Sequence, residues 1–479
     1  MENIERNNFE NKIFSKILIL FVIFFILFSG NIYSQKVGLV LSGGGAKGLA
    51  HIGVIKVLEE NNIPIDYISG TSMGAIIGGL YSIGYTTNEM EKLVKSEDFL
   101  RWSNGEIEKK YMYYFKKSDP NSDIISLNMR IKEGGPQALL PSNIIPTHQL
   151  DFVKMELFGS ACATANNNFD SLFVPFRCVA SDIYNKKAVV FSKGNLGSAI
   201  RASMTFPFYF KPIKINDVLL FDGGMQNNFP WDVLVNDFNP DYIIGSKTAN
   251  NSGKPDANDI TGQLENMLLS KSNYNLPENG ILINIDFKNI ELLDFDKADF
   301  IIQKGYNAAL TKIDSIKSLI PNRIDSNILA KRREKFKSKL NDIIFKDIDI
   351  SGLNSKERIY LKKNLYHKDS IFDIKQFKTD YFKLLADGTI SSIYPTEKYN
   401  LKSGFFDLNL KISEKNKVVA KLGGNISSSS INQGFAAIEY NHLGTYAKFL
   451  SANIYYGRLY SSVKLNGRID LPGRMPFAL

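Results

Sequence analysis

The sequence predicts an α/β domain with a parallel sheet, followed by a small α+β module and a set of antiparallel strands. Three observations support this order. Short apolar runs alternate with helix-periodic segments near the N-terminus, a strand, helix, helix, strand, strand series occupies residues 345–415, and beyond Lys417 the helical periodicity stops. With 479 residues, of which 44% are hydrophobic and 22% charged, the chain has room for about two to four domains. Disordered chains and polytopic helical membrane proteins are excluded.

The N-terminal segment predicts export. Ile17 to Phe28 form an unbroken apolar run. That run has the length of the apolar core of a secretory signal and falls short of the ~20 residues that a membrane-spanning helix needs. Ser34 supplies a small residue before the expected cut, so we predict a signal peptide over residues 1–34. An uncleaved anchor or a buried helix remains the alternative.

Two strand and helix pairs open the α/β domain, which we place at residues 35–325. Lys36–Ser42 is an apolar run ending in glycines, and Ala46–Glu60 has apolar residues at helical spacing. Pro64–Ser69 predicts the second strand and Met73–Ile83 a helix rich in glycine and alanine. The βαβα order predicts a parallel sheet with helices on both faces. Later elements continue it: strands at 173–181, 218–221, 242–246 and 281–287, and a helix at 298–319.

The rest of the chain divides into three parts. Residues 326–344 are strongly basic and predict a helical connector, with residues 345–415 as the α+β module. From 416 to 479 the pattern favours strands. Leu459–Asp470 alternates one apolar and one polar face over about the 10-residue length of a membrane β-strand. A half-buried strand of a soluble sandwich would show the same alternation.

The pentapeptide from Gly70 to Gly74 lies between a predicted strand and a predicted helix. A G-x-S-x-G turn in that setting strains the serine backbone and lifts the Ser72 hydroxyl clear, while Gly70 and Gly74 leave room for the bend. The following helix points its first N–H groups, beginning with Met73, at the place where negative charge develops. Ser72 is therefore the predicted nucleophile.

A second glycine turn follows the first strand. Gly43, Gly44 and Gly45 allow backbone N–H groups to converge on an anion, as the oxyanion hole of an acyl transfer requires. Lys47 and Gly48 complete this turn. Its glycines also satisfy the dinucleotide pattern G-x-G-x-x-G, with Asp66 near the position of a ribose-binding acid, so a dinucleotide-binding oxidoreductase stays open.

A serine nucleophile needs a base, and the chain offers few histidines. His51 lies among apolar residues, His148 lies in a loop, and His367 and His442 belong to other domains. The better candidate is Asp222. A strand end delivers this carboxylate beside two glycines, Gly223 and Gly224.

These motifs, in this order, resemble the patatin-like phospholipases. The likeness covers about residues 36–231, and it includes two further segments, Arg201–Pro207 and Ala180–Asp182. The resemblance implies a Ser72–Asp222 dyad without histidine, in which Asp222 takes the serine proton and the Gly43 to Gly45 amides hold the oxyanion. It implies a three-layer patatin-like fold, a phospholipid or other lipid ester as substrate, and neither cofactor nor metal.

The C-terminal parts carry a second resemblance. Residues 345–415 are similar to a single POTRA repeat, and residues 416–479 resemble the start of an outer-membrane barrel of the assembly and two-partner-secretion type. We therefore expect an exported phospholipase A or lysophospholipase at the outer membrane, its catalytic domain facing periplasm or exterior. The alternatives are an outer-membrane assembly or secretion component with a non-essential hydrolase domain, and a hydrolase of non-lipid esters.

Charge and cysteine content add little. Lys and Arg number 58 against 49 Asp and Glu, a net charge of +9 that permits attraction to anionic surfaces. No basic run is dense enough to choose between lipid head groups and nucleic acid as that surface, and we predict no nucleic acid partner. Lys331, Arg332 and Arg333 begin a basic stretch of the connector that could attract lipid head groups. Cys162 and Cys178 predict buried thiols, with a disulfide as the alternative.

Overall fold

A computed structural model describes residues 35–479 except 113–120, 133–134, 140–141, 251–257, 259–262, 264–265, 267–270, 366–370, 426–431, 459–460 and 474–476. The predicted signal peptide and His367 lie outside the described residues.

Helices and strands are labelled in chain order. The helices are α1 Ala50–Glu60, α2 Met73–Ser82, α3 Thr87–Val94, α4 Glu97–Asn104, α5 His148–Thr164, α6 Leu196–Ser203, α7 Trp231–Phe238, α8 Ala298–Leu310, α9 Ile313–Leu319, α10 Ser326–Lys337, α11 Ser355–Asn364 and α12 Ile374–Ala386. The strands are β1 Val37–Leu41, β2 Tyr67–Thr71, β3 Asp123–Lys132, β4 Gly135–Leu139, β5 Phe176–Asp182, β6 Lys187–Phe191, β7 Ile213–Ile215, β8 Val218–Asp222, β9 Tyr242–Lys247, β10 Gly280–Asn284, β11 Ile344–Ser351, β12 Phe372–Asp373, β13 Ile390–Asn400, β14 Phe405–Glu414, β15 Val418–Asn425, β16 Gln433–Leu443, β17 Ala447–Gly457, β18 Ser461–Leu471 and β19 Phe477–Ala478.

The first sheet has eight strands in the order β10-β9-β1-β2-β5-β8-β7, with β6 also paired to β5. Its five strands from β10 to β5 are parallel. Strands β6, β7 and β8 join antiparallel, so the predicted all-parallel sheet is wrong at this edge. Antiparallel pairing needs only a short connection, and the turn between β7 and β8 leaves no room for the crossover that a parallel pair requires.

Helices cover both faces of this sheet, as the three-layer prediction expected. Along β1, Leu39 and Leu41 point into a large core formed with α1, α2 and α8. Val40, between them, points the other way and packs with Leu234 of α7. Each face of a central parallel strand is therefore buried, which explains why its sequence is an unbroken apolar run.

The predicted helices are found with two changes. Residues 45–49 form a 3₁₀ turn, so α1 begins only at Ala50. The helix expected at 298–319 divides into α8 and α9 around Thr311 and Lys312. Such differences lie at helix ends, where periodicity is least informative.

The α+β module forms the second sheet, in the order β12-β11-β14-β13, with α11 and α12. Its core is rich in aromatic rings and includes Phe152 of α5, whose ring centroid lies 5.2 Å from that of Tyr381. The Tyr381 hydroxyl donates to the backbone oxygen of His148 at 2.9 Å. The module therefore shares a core with the α/β domain rather than being joined to it by a linker alone.

The third sheet is antiparallel and has seven strands in the order β19-β18-β17-β16-β15-β3-β4. Antiparallel strands after residue 416 were predicted. The hairpin β3–β4 was not, and it comes from the α/β part of the chain to pair with β15. Within the described residues, no helix is both long enough and apolar enough to cross a bilayer.

The basic connector is a packed helix rather than a free linker. Arg333 of α10 is 7% exposed, donates to Glu59 at 2.6 Å and lies over the rings of Tyr81 and Phe173. Lys337 donates to Glu89 at 2.7 Å. These two cations are therefore committed to the α/β domain, which removes them from the set that could attract lipid head groups.

Candidate active site

The turn between β2 and α2 holds Ser72 in a strained conformation. Its φ of 55° and ψ of −121° are rarely adopted by residues other than glycine. The Ser72 amide donates to Ser203 Oγ at 2.9 Å, and the Ser203 hydroxyl donates to the Val179 carbonyl at 2.6 Å. Tertiary contacts thus hold the strained turn, as the elbow motif predicted.

The glycines of the elbow are required by close packing. A Cβ at Gly70 would lie 2.5 Å from the Gly74 oxygen, and one at Gly74 would lie 2.6 Å from the Ser42 oxygen. A side chain at Gly70 would clash with the backbone of the elbow itself, and one at Gly74 would push the elbow away from the end of β1. Both predicted motif-supporting residues therefore set how closely Ser72 approaches the glycine turn.

Asp222 ends β8 directly beside the elbow. Ser72 Oγ donates to Asp222 Oδ2 at 2.7 Å, and the Gly224 amide donates to Asp222 Oδ1 at 2.8 Å. A Cβ on Gly223 would clash with the Val179 carbonyl, so this residue too must be small. The structure brings together the predicted nucleophile and the predicted base, which are 150 residues apart in sequence.

Burial raises the pKa of Asp222 to about 6, because the charged carboxylate is removed from water. Its hydrogen bonds from Ser72 and Gly224 lower the pKa and offset part of this effect. The side chain is therefore largely ionised at neutral pH, and it is more basic than an ordinary aspartate.

The glycine turn after β1 faces the elbow. One of its three predicted oxyanion donors needs correction. The Gly43 amide donates to the Asn228 carbonyl at 3.0 Å, so it is already committed and does not act as an oxyanion donor. Gly44 and Gly45 lie at the start of a 3₁₀ turn, where backbone N–H groups have no partner within the turn itself. With Met73, the first residue of α2, they remain the candidate oxyanion donors.

Of Lys47 and Gly48, only Gly48 has a contact that bears on how the two turns pack. Lys47 is half-buried and is not among the residues that line the cleft described below. A Cβ on Gly48 would lie 2.6 Å from the Cβ of Met73. Gly48 thus allows the two turns to pack together.

Ser72 and Asp222 line a mostly apolar cleft. Aromatic and aliphatic side chains from α4, from the segment after α6 and from residues 292–295 dominate its walls. The lining residues are Gly45, Ser72, Met73, Ile76, Phe99, Trp102, Ser103, Leu150, Met204, Phe206, Phe210, Asp222, Leu292, Leu293 and Phe295.

The histidines have other roles. His51 is fully buried, its Nε2 donates to the Ser42 carbonyl at 2.9 Å, and its Nδ1 accepts from Ser246 Oγ at 2.7 Å. Burial lowers the pKa of His51 to about 4, so the ring is neutral, as expected for a core histidine. His148 begins α5, and the Ser72 hydroxyl bonds to Asp222 instead. The alternative of His148 as base is not supported.

The position of Asp66 argues against the alternative of a dinucleotide-binding oxidoreductase. Asp66 lies before β2, where it accepts a hydrogen bond from the Val37 amide at 2.9 Å. The glycine turn follows β1, and the two strands are parallel. Asp66 and the glycines therefore lie at opposite ends of the sheet, whereas a dinucleotide would need them at the same end.

Cys162 and Cys178 are both free and buried. Cys162 accepts from the Leu196 amide, and burial raises the pKa of both thiols. They are the buried thiols that the sequence predicted, and no disulfide joins them.

Some supporting residues carry little sequence signal. Asn228 fixes Gly43, and Ser203 fixes the elbow. Arg201 forms an ion pair with Asp151 at 3.0 Å and donates a hydrogen bond to the Thr205 hydroxyl. The Thr205 carbonyl in turn accepts a hydrogen bond from the Asp222 amide at 2.8 Å. The segment 201–207 was noticed only through the family resemblance, since nothing in its composition marks it.

The fold and the site define a class: an α/β domain of the hydrolase type, with an elbow serine beside a buried carboxylate. Residues 39–235 match the family model described as patatin-like phospholipase. This segment of the chain is therefore similar to patatin-like phospholipases, and the match supports the prediction of a carboxylic ester hydrolase.

Curated relatives agree with that match. The chain is 30% identical over 204 residues to a patatin-like phospholipase domain-containing protein of Caenorhabditis elegans. This match covers 42% of this chain and 13% of the relative. It is 27% identical over 216 residues to a lysophospholipase of Candida albicans, with 45% and 13% covered. An uncharacterized NTE family protein of Mycobacterium tuberculosis is 24% identical over 317 residues, with 60% and 48% covered. The chain thus spans less than half the length of each of these relatives.

Among solved structures, the chain is similar to VipD from Legionella pneumophila. The match has 13% identity and a TM-score of 0.34, and it covers 59% of this chain and 67% of that one.

Proposed function

We propose that the chain is a serine acyl hydrolase that cleaves lipid esters with Ser72 and Asp222. The observation that carries this proposal is the 2.7 Å hydrogen bond from Ser72 Oγ to Asp222 Oδ2 at the base of an apolar cleft. A hydroxyl is a weak nucleophile until a base takes its proton, and here the base is already in contact.

The reaction has two halves. Ser72 Oγ attacks the ester carbonyl carbon while its proton passes to Asp222 Oδ2. The resulting oxyanion accepts hydrogen bonds from backbone amides among Gly44, Gly45 and Met73. The carbon–oxygen bond to the alcohol then breaks, and that alcohol leaves with the proton from Asp222. Water attacks the acyl-serine in the same way, giving the free fatty acid and restoring Ser72.

The environment of Asp222 suits this role. Burial raises its pKa to about 6, which makes the carboxylate a stronger base while leaving it ionised at neutral pH. Gly224 donates to the other oxygen and so fixes which oxygen faces Ser72.

Lipid acyl chains match the cleft. Phe99, Trp102, Phe206 and Phe210 line it, and their rings offer mainly apolar contact to a substrate. A phospholipase A or lysophospholipase activity follows as the finer proposal, and a relative named lysophospholipase supports it.

We further propose that the chain is exported and associates with the outer membrane through its third sheet. On this sheet one face is apolar and exposed: Ile438 lies opposite Ala452, Ile454 opposite Val463, and Leu465 is 76% exposed. The other face carries ion pairs such as Lys421 with Glu439 at 2.8 Å, together with buried apolar side chains such as Phe435. In the wall of a membrane β-barrel, apolar side chains typically face the lipid outside and polar side chains face the interior.

The experiment is an assay of fatty acid release by the full chain. The panel contains a diacyl phospholipid, a lysophospholipid, a neutral acylglycerol and a short soluble ester. We expect lipid esters to be turned over faster than the soluble ester and Ser72→Ala to abolish turnover of all of them. Full activity in Ser72→Ala would overturn the mechanism, and exclusive use of the soluble ester would favour the non-lipid alternative.

A further inference from the structure

A second cavity lies between the α/β domain and the α+β module. The cleft at Ser72 shares none of the lining residues of this cavity. Both domains contribute to its walls. The lining residues are Ser142, Thr147, Asp151, Arg201, Lys211, Pro212, Ile213, Lys214, Leu219, Ser392, Tyr394, Lys411 and Ser413.

The charged groups of the cavity wall are mainly cationic. Four of its side chains are cationic and one, Asp151, is a carboxylate, which leaves a net charge of +3. Asp151 is already neutralised, because it is held by Arg201 Nε at 3.0 Å and by the Thr147 hydroxyl at 2.7 Å. Lys211, Lys214 and Lys411 therefore supply a positive potential that no carboxylate of the cavity wall offsets.

Strand alternation places polar groups of the module toward this cavity. In the pairing of β13 with β14, Ser392 lies opposite Ser413 and Tyr394 opposite Lys411. The residues between them, such as Ile393 and Ile412, point into the module core and are 1% and 3% exposed. One face of the hairpin is thus committed to packing, and the other presents hydroxyl and ammonium donors.

The two walls are held at a fixed separation. Lys211 Nζ donates to Ser392 Oγ at 3.1 Å across the domain boundary. On the same boundary the Tyr394 hydroxyl donates to Ser198 Oγ at 2.9 Å, with Lys154 Nζ 3.5 Å from the Tyr394 ring centroid. Lys211, Ser392 and Tyr394 are therefore held in position across the boundary in the absence of a ligand.

We propose that this cavity binds a phosphate group. Phosphate oxygens accept several hydrogen bonds at once, and ammonium and hydroxyl groups from two walls match that requirement. The group has two sources with the same chemistry, the head group of an anionic lipid and soluble phosphate. The proposal does not depend on hydrolysis at Ser72.

Phosphate bound in this cavity would also affect the active site. Arg201 donates to the Lys211 carbonyl at 2.9 Å and to Thr205, whose carbonyl receives the Asp222 amide. Phe210, the residue before Lys211, lines the Ser72 cleft. A bound phosphate would therefore fasten the module to the α/β domain and hold the Phe210 wall of the cleft.

The test measures thermal unfolding of the full chain with Ser72→Ala, so that no substrate is consumed. Inorganic phosphate should raise the unfolding temperature in a saturable way, while sodium chloride at equal ionic strength should not. The double variant Lys214→Gln with Lys411→Gln should weaken the apparent affinity about tenfold or more. A matched control, Lys398→Gln with Lys402→Gln, removes the same charge from exposed positions outside the cavity and should keep the parental affinity.

Two results would overturn the proposal: no saturable phosphate effect on the folded parent, or an equal loss in the control variant. Vesicles of phosphatidylcholine with and without phosphatidylglycerol then separate the sources. If the cavity variant loses binding to anionic vesicles and phosphate competes for that binding, the site takes a lipid head group. If vesicle binding is unchanged while phosphate binding is lost, it takes soluble phosphate.

Discussion

Arg201 Nε lies 3.0 Å from Asp151 Oδ1, with both side chains almost fully buried between α5 and α6. Arg201 also donates to Thr205 and to the Lys211 carbonyl, so the guanidinium joins the Asp222 strand, the cleft wall and the second cavity. We expect Arg201→Met to destabilise the protein by about 3–5 kcal/mol, because it leaves a buried carboxylate without its partner. The midpoint of urea unfolding measures this.

The control for that variant removes the orphaned charge as well. Arg201→Met combined with Asp151→Asn should recover part of the lost stability, since no ionised group is then left buried. An Arg201→Met protein as stable as the parent would show that the ion pair is not what holds α5 to α6.

Asp222→Asn should reduce kcat/KM by orders of magnitude, nearly as far as Ser72→Ala. The amide keeps the shape of the carboxylate but cannot accept the serine proton, and groups that act as one unit do not have additive effects. Steady-state kinetics measures the loss, and a fluorophosphonate that labels Ser72 in the parent should label this variant much more slowly. His148→Ala should be mild. The opposite pattern, with His148 essential and Asp222 dispensable, would replace the dyad by a triad.

Asp222→Asn should also change the stability of the protein, and the raised pKa of Asp222 gives the direction of that change. Because the folded pKa of Asp222 is raised to about 6, ionising it costs folding free energy, and stability is lost as pH rises from about 4 through 6. Asp222→Asn should therefore unfold at a temperature equal to or above that of the parent at pH 7 to 8, and its advantage should vanish near pH 4. A clearly lower unfolding temperature at pH 8 would contradict this account.

The pH dependence of activity follows from the same carboxyl group. Asp222 acts as base only when ionised, so kcat/KM for an uncharged ester should fall about tenfold per pH unit below a pKa of about 6. The measurement is a pH profile under conditions where the protein stays folded. A profile that remains flat down to pH 4.5, which lies about 1.5 units lower, would show that another group is the base.

The glycine turn gives a steric prediction. Gly45 has a φ of 55°, and a Cβ there would clash with the Leu292 carbonyl. Gly45→Ala should lower kcat/KM by at least about tenfold, because the turn must move and carry its amides away from the oxyanion. Gly434→Ala is the matched control. Its Cβ would meet nothing closer than the Tyr456 oxygen at 3.7 Å, so activity and stability should be retained.

The sequence predicts features formed by neighbouring residues, but it does not predict contacts between residues that are far apart in the chain. The elbow at Ser72 follows from a local pattern, a strand ending in a turn of small residues, whereas the role of Asp222 is implied mainly by the family resemblance. The structure brings the two side chains together. The commitment of the Gly43 amide to Asn228 has no local signature, because its partner lies far along the chain. Strand β3 was missed for the same reason, since its partner β15 is almost 300 residues away. Periodicity identifies strands but carries no information on such distant pairings.

Location is the last prediction, and it concerns residues 1–34 together with the third sheet. If the N-terminal segment directs export and the apolar sheet face contacts lipid, cells expressing the full gene should yield the protein in the outer-membrane pellet. Val463→Glu, at a position 67% exposed on the apolar face, should lower the fraction recovered there, because a charge on a lipid-facing strand position is costly. Ser462→Glu changes the neighbouring residue, which points to the other face, and should leave recovery unchanged. Quantitative recovery in the cytosol with residues 1–34 attached would refute both export and membrane association. Equal effects of the two glutamate variants would refute only the assignment of the lipid-facing side.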